Sequence, residues 1–238
     1  MSTYSKDEII KKLEVAKSEM WKFYSQDFVN YRGKTSDKER YYYTEIIAKW
    51  LLDNIELFND IKMISRENSY KVDSHDGKIK NEKSGREEEI IAMKLFDFSQ
   101  NQGNVFDIIG IIIDYQTPLK DIQTDRAGKI DLLAYNENKK TLRILELKRP
   151  DSNETMLRCV LEAYTYLKVV DKAKLLKDFG LPENTKIKAC PFVFYDGEQH
   201  KEMKEIKDSR KNLEKLIEKL GVEVIYLKEE NGEYSIIK

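Results

Sequence analysis

Asp131, Glu146 and Lys148 are the residues of this chain whose types and spacing could do chemistry together. They end two apolar stretches. One runs from Gly128-Lys129-Ile130-Asp131 through residue 135, and the other runs from residue 142 into Glu146-Leu147-Lys148. The polar residues 136–140 between them read as a hairpin connection with its turn centred between Asn138 and Lys139. That register sets Asp131 opposite Glu146, about 5 Å apart at Cβ. Strand alternation adds Lys148 to the same face and turns Leu145 and Leu147 to the other. Two carboxylates that close repel unless something positive lies between them. Their hard oxygens suit Mg²⁺ (or Mn²⁺), with waters and phosphate oxygens completing the shell. An ion there would polarise a phosphoryl oxygen and lower the pKa of a water, while Lys148 orients that water or steadies the developing charge. The chemistry indicated is metal-assisted phosphodiester hydrolysis. The competing reading of the same three residues is a structural Asp-Lys-Glu ion-pair cluster on a sheet face.

The surrounding pattern must supply a sheet and a helix to hold these groups. Apolar residues at three- and four-residue steps (Ile9, Ile10, Leu13, Ala16, Met20, Trp21, then Ile46, Ile47, Trp50, Leu51, Ile55, Phe58) predict a helical N-terminal appendage over 1–80. The polar, glycine-containing stretch 72–85 separates it from the remainder, 81–238. Ser84 and Gly85 then precede an acidic first turn, Glu87 to Glu89, and a helical pattern to Phe98. Strands are expected over 108–115, 129–135, 142–148, 187–195 and 222–227, with helices over 156–170 and 201–220. The first of these strands should end at a Thr117-Pro118 turn. The order α-β-β-β-α-β-α-β describes an α/β fold, a mixed β-sheet flanked by helices.

A helix bearing a glutamate, an Asp-bearing strand, an ExK strand and a following helix together resemble the core of the PD-(D/E)XK nuclease superfamily, which includes restriction endonucleases and RecB-like nucleases. The likeness covers about 84–170, with 187–195 as a further strand, and implies a restriction-endonuclease-like sheet behind the N-terminal helical extension. It also implies that Asp131 and Glu146 bind the divalent metal, that the Leu147 carbonyl is a further ligand, and that Lys148 assists the nucleophile. The first helix of such proteins often adds an acid. Glu88 is the candidate, because it shares a face with Ile91, Ala92 and Leu95, whereas Glu87 shares one with Lys94. RecB-like members often carry glutamine and tyrosine at i,i+4 on the helix after the ExK strand. This chain has Glu162 and Tyr166 there, a departure at the first position, with Arg158 one turn earlier.

Composition sharpens the reading by what it excludes. Lys plus Arg number 42 against 43 Asp plus Glu, a net charge of -1, so no global attraction to phosphate exists and any nucleic-acid contact must be local. Lys139, Lys140, Arg143, Lys148 and Arg149 against the single acid Glu146 form the best local basic strip. Gln116 and Lys120, beside Pro118, are further candidates for reaching substrate. Cys159 and Cys190 lack CxxC or Cys/His company, and no phosphate-binding GxxxxGK[ST] loop occurs. Asp73, His75 and Asp76 have metal-like side chains but lie in a turn-like stretch. No apolar run is long enough to span a membrane, and a protein of a reducing cytoplasm is the expectation. The expected partner is nucleic acid, with DNA favoured. Paired cuts on a duplex would call for a homodimer. The rival expectations are a non-catalytic nucleic-acid-binding module on the same fold, or an interaction protein acting through the N-terminal helices, where Tyr41 to Tyr43 could meet a partner.

Overall fold

Helices α1 (Lys6–Ala16) and α2 (Tyr43–Asp53) open the chain, joined and followed by 3-10 segments at Lys17–Ser25, Asp27–Asn30 and Ile55–Asp60. A capping box between Ser5 and Glu8 starts α1 and satisfies two of its free amide groups. In this computed structural model, residues 3–79, 86–121 and 128–238 are described. The expected helix start at 84–85 lies outside them. Helix α3 (Glu87–Gln100) precedes strands β1 (Ile111–Pro118), β2 (Lys129–Asn136) and β3 (Thr141–Leu147). Helices α4 (Met156–Val169) and α5 (Lys172–Asp178) lead to β4 (Lys186–Phe194). Then come α6 (Glu198–Lys204), α7 (Ile206–Ser209), α8 (Lys211–Leu220), β5 (Ile225–Glu230) and β6 (Glu233–Ile237).

The fold is α/β, with one mixed sheet in the order β1-β2-β3-β4-β5-β6. β1, β2 and β3 form an antiparallel meander, β4 and β5 run parallel to β3, and β6 returns antiparallel at the edge. The two parallel steps need crossovers, and the α4–α5 and α6–α8 segments provide them. Apolar side chains fill both faces. Ala92, Leu95 and Phe96 of α3 pack on Leu132, Ala134, Leu145, Leu147 and Phe192. On the other face, Leu133, Ile144, Ala189 and Val193 share one core with α4, α8 and the N-terminal helices. Residues of the N-terminal helices therefore share this core with the sheet.

Several expectations shift for identifiable reasons. The first strand starts at Ile111 rather than 108, because Gly110 turns with φ +83° and a Cβ there would lie 2.1 Å from the Tyr135 carbonyl oxygen. It runs through Thr117 to Pro118, which pairs with Lys129; an edge strand tolerates a proline that cannot donate. The 201–220 helix is broken at Arg210 (φ -128°, ψ 42°). That break buries the guanidinium, which donates to Thr44 Oγ1 at 2.9 Å and lies 4.3 Å from the Tyr42 ring centre. Helix α5 and strand β6 were not expected. Among the described residues no helix is long and apolar enough to cross a membrane.

Candidate active site

The β2–β3 hairpin has the expected register, with Leu132 opposite Leu145 and Leu133 opposite Ile144. One step further, Asp131 and Glu146 face each other where the backbone ladder gives way. The Leu147 N–H donates to Asp131 Oδ2 at 2.9 Å. The other oxygen, Oδ1, accepts from Gln116 Nε2 at 2.9 Å. Gln116 sits between Tyr115 and Thr117, whose partners are Leu132 and Ile130, so it too falls opposite Asp131. Its φ of +48° is strained for a residue with a side chain, and such strain collects where a group must be aimed.

Lys148 lies beside Glu146 as alternation requires, and its ammonium meets three carboxylates. The distances are 3.0 Å to Glu146 Oε1, 2.9 Å to Glu162 Oε2 and 3.2 Å to Glu154 Oε2. Glu162 comes from α4, whose first turn is fixed by the Thr155 hydroxyl accepting the Arg158 N–H. Glu88, from the first turn of α3, accepts the Arg149 N–H at 3.2 Å, while Glu87 pairs with the Arg149 side chain and Glu89 with Arg86. Glu88, Gln116, Asp131 and Arg149 line a cleft of about 380 Å³. Glu146 and Lys148 lie behind it, each 5% exposed.

The electrostatics follow from crowding acids out of water. Burial pushes the Asp131 carboxyl up to about 7; Lys148 opposes the rise, and Glu88 and Glu162 add to it. Burial, with Asp131 and Glu162 nearby, holds Glu146 well above the ordinary carboxylate range. Burial also raises Glu88. For Lys148 burial alone would favour the neutral amine, but Glu146 and Glu162 outweigh it and keep the ammonium firmly charged. Five acids (Glu88, Asp131, Glu146, Glu154, Glu162) thus gather around Lys148, with Arg158 as a further cation on Glu154.

Glu146 Oε2 is buried with no hydrogen-bond partner, an acceptor oxygen that a metal ion would satisfy. Among the described residues no group of three or more carboxylate, imidazole or thiolate side chains is placed to hold a metal ion. Mg²⁺ does not require one, since it is commonly held by one or two carboxylates with waters and phosphate oxygens. Asp131 and Glu146 meet that need, and Glu88 stands across the cleft. Leu147 enters the site through its amide, which donates to Asp131.

The remaining candidates separate. Arg149 and Gln116 border the cleft. Arg158 is tied to Glu154 at 3.0 Å, and Tyr166 is a buried wall whose hydroxyl lies 3.4 Å from Glu162 Oε1. Gly128 passes so close that a Cβ would sit 2.0 Å from that hydroxyl. The expected basic strip does not exist as one surface. Arg143 is buried with Glu223 at 2.7 Å, bridging β3 to the segment before β5. Lys139 and Lys140 lie exposed at the hairpin turn, six residues from Glu146 along β3 and so about 20 Å away at strand rise. Sequence reasoning missed Glu154, which no spacing marks. It also missed a His75–Asp114 pair, set aside because His75 lies in a turn-like stretch.

Comparison with protein-family models, with curated proteins and with solved structures finds no significant match in any of the three.

Proposed function

We propose that the chain is a divalent-metal-dependent nuclease that hydrolyses phosphodiester bonds, with DNA as its favoured substrate, on a restriction-endonuclease-like, PD-(D/E)XK-type core. One observation carries the reading: the Asp131–Glu146–Lys148 constellation has a buried Glu146 Oε2 without a hydrogen-bond partner in a cluster where acids outnumber cations. An unpaired buried polar atom costs about 1–3 kcal/mol, and a divalent cation is a group that would satisfy this oxygen.

Asp131 and Glu146 would hold Mg²⁺ or Mn²⁺, with Glu88 close enough to contribute. Bound there, the ion supplies charge neutralisation and Lewis acidity toward a phosphoryl oxygen. Gln116 and the Leu147 amide fix both oxygens of Asp131, so the carboxylate is aimed before substrate arrives. Lys148 stays protonated and acts as a fixed positive charge that orients the attacking water and offsets the charge gathering on phosphorus, rather than as a base. Glu154 and Glu162 hold it in place. Arg149, at the rim of the cleft, is placed to meet the backbone of the strand.

The test is incubation of the purified protein with linear, circular and single-stranded DNA and with RNA, in Mg²⁺, Mn²⁺ or EDTA. Metal-dependent cleavage that disappears in Glu146→Ala and Lys148→Ala is the expected result. Metal-independent binding with no cleavage would favour a binding module. The three-way pairing of Lys148 favours the structural ion-pair reading, which predicts neither binding nor cleavage and only a loss of stability in the same variants.

A further inference from the structure

Trp21 belongs by its spacing to the apolar stripe that runs from Ile9 to Met20, yet its indole is 41% exposed. The cause is local. The chain there is the 3-10 segment Lys17–Ser25, kinked at Glu19 (φ -128°, ψ 54°). At three residues per turn, Met20 and Phe23 share one face and are buried, while Trp21 and Tyr24 share the next. Tyr24 is half-buried and meets the Tyr166 ring edge-on, with centroids 6.1 Å apart. Burial, with Glu162 and Glu146 nearby, raises its phenol, so this tyrosine stands in the wall of the acid cluster. Trp21 lies one 3-10 turn from it, about 6 Å along the axis. Strand alternation also puts Asp131 on the face of Leu133 and Glu146 on that of Ile144, the face that the N-terminal segments cover.

Two lysines reach the indole from separate parts of the chain. Lys22 Nζ lies 4.3 Å from the ring centre and Lys120 Nζ 5.8 Å. Glu19 approaches Lys22 at 3.7 Å with both side chains about half exposed, a weak pair in water. Asp121 is engaged by Arg66 and by the Glu67 and Asn68 amides. Charge around the ring therefore leaves only a small positive excess, and the aromatic face rather than net charge selects the ligand. An indole flanked by ammonium groups has both parts of a sequence-tolerant platform for a single strand: a π face for a base and cations for the phosphates beside it. Lys22 is long and rotatable, so a base that takes its place on the ring passes the ammonium to a neighbouring phosphate. Lys120 follows Gln116, whose side chain holds Asp131, by four residues, a reach of at most about 14 Å. A strand seated at Asp131 brings a further base to the ring within a few nucleotides.

We propose that Trp21, with Lys22 and Lys120, stacks an unpaired base of the DNA strand held at the acid cleft and so gives the protein a preference for unpaired over paired DNA. The proposal rests on the nuclease reading for the strand, but its test does not depend on cleavage. Trp21 and Trp50 are the only tryptophans, and Trp50 is 9% exposed with its Nε1 donating to Glu14 Oε1 at 2.9 Å. A fluorescence change that vanishes with Trp21 therefore reports this ring. Octathymidylate, titrated into the full chain in EDTA at low salt, should quench the emission saturably. A hairpin duplex with every base paired, and an abasic octamer with the same phosphates, should not. In Trp21→Ala the quench should disappear, and affinity for labelled octathymidylate, read by anisotropy, should weaken about tenfold, the loss of one base stack. Trp21→Phe should keep most of the affinity, and both variants should melt with the parent because the side chain is exposed. Lys22→Gln should lower the salt slope of binding by about 0.7. An emission that octathymidylate leaves unchanged, or that the abasic strand or the hairpin quenches equally, would overturn the proposal. So would unchanged affinity in Trp21→Ala, and an unchanged salt slope would remove Lys22 from the platform. A protein that cleaves DNA while Trp21 stays silent refutes the stacking site alone. A Trp21 response in a protein that cleaves nothing upholds the stacking site and removes the nuclease.

Discussion

Replacing Asp131 with asparagine should stabilise the protein and abolish the proposed cleavage, and the size of the first effect can be worked out. The folded carboxyl titrates at about 7 against an ordinary 3.8, so between those values the folded state holds a proton that the unfolded chain has released. Stability therefore falls as pH rises through this window, and the full penalty is present above about pH 7. Three units correspond to roughly 4 kcal/mol. Asparagine can keep both hydrogen bonds: its oxygen accepts the Leu147 N–H, and its amide donates to Gln116 once that side chain turns its own oxygen inward. Allowing for imperfect geometry, a gain on the order of 3 kcal/mol is expected at pH 8, or about 6–12 °C in Tm for a chain of this size. The gain should shrink steadily as pH falls toward the ordinary 3.8, below which the carboxyl is protonated in both states. Thermal unfolding of both proteins in EDTA from pH 5 to 8 is the assay. An Asp131→Asn protein that melts lower at pH 8, or by the same difference at every pH, would refute the account of the site as under-neutralised.

Other parts of the structure make further demands. Lys139→Glu with Lys140→Glu should leave DNA affinity and its salt dependence unchanged, because the turn lies about 20 Å from the acids; a clear fall in the salt slope of binding would restore the basic strip. Arg143→Ala removes one of the two cations on Glu223, leaving Lys238, and should cost about 1–3 kcal/mol in denaturant unfolding, while the proposed cleavage by the folded fraction is expected to stay the same. Gly128→Ala forces a methyl group against the Tyr166 hydroxyl and should cost about 1–3 kcal/mol, read as a lower Tm, with Tyr166→Phe in the same chain recovering part of the loss. A normal melting point for Gly128→Ala would show that the wall gives way more easily than its packing implies.

What the sequence disclosed was local and periodic. The register that brings Asp131 to Glu146 follows from two apolar runs and a short polar turn, and helical spacing alone separated Glu88 from Glu87. Whatever depended on distant partners stayed hidden. Arg143 reads as a surface cation because nothing near it in sequence announces Glu223, eighty positions away. The helix over 201–220 keeps its period through Arg210, yet burying that guanidinium against Thr44 and Tyr42 outweighs one turn of regular helix. His75 was discounted for its turn-like surroundings, although a turn is what lets a single residue reach back to Asp114 on β1. Strand β6 was lost because its alternation is short and only partly buried, an edge whose register comes from pairing with β5.

The N-terminal helices can be understood from what they touch. Lys148 is held by Glu154 and Glu162, and both depend on where α4 begins. That start is fixed from outside the sheet: Asn30 Oδ1 accepts the Thr155 N–H at 2.7 Å, and the Thr155 hydroxyl donates to the Val29 carbonyl at 2.8 Å. Tyr24 then meets the Tyr166 ring edge-on, behind the tyrosine that closes over Gly128. A cluster of buried acids relaxes toward water whenever its scaffold allows, because each buried charge is costly. Only a layer on the far side of α4 can resist that, and here residues 24–30 are part of it. The segment that reads as an appendage is thus part of what keeps the lysine and its carboxylates in place, and the near-zero net charge of the chain conceals a site in which charge is concentrated and held under constraint.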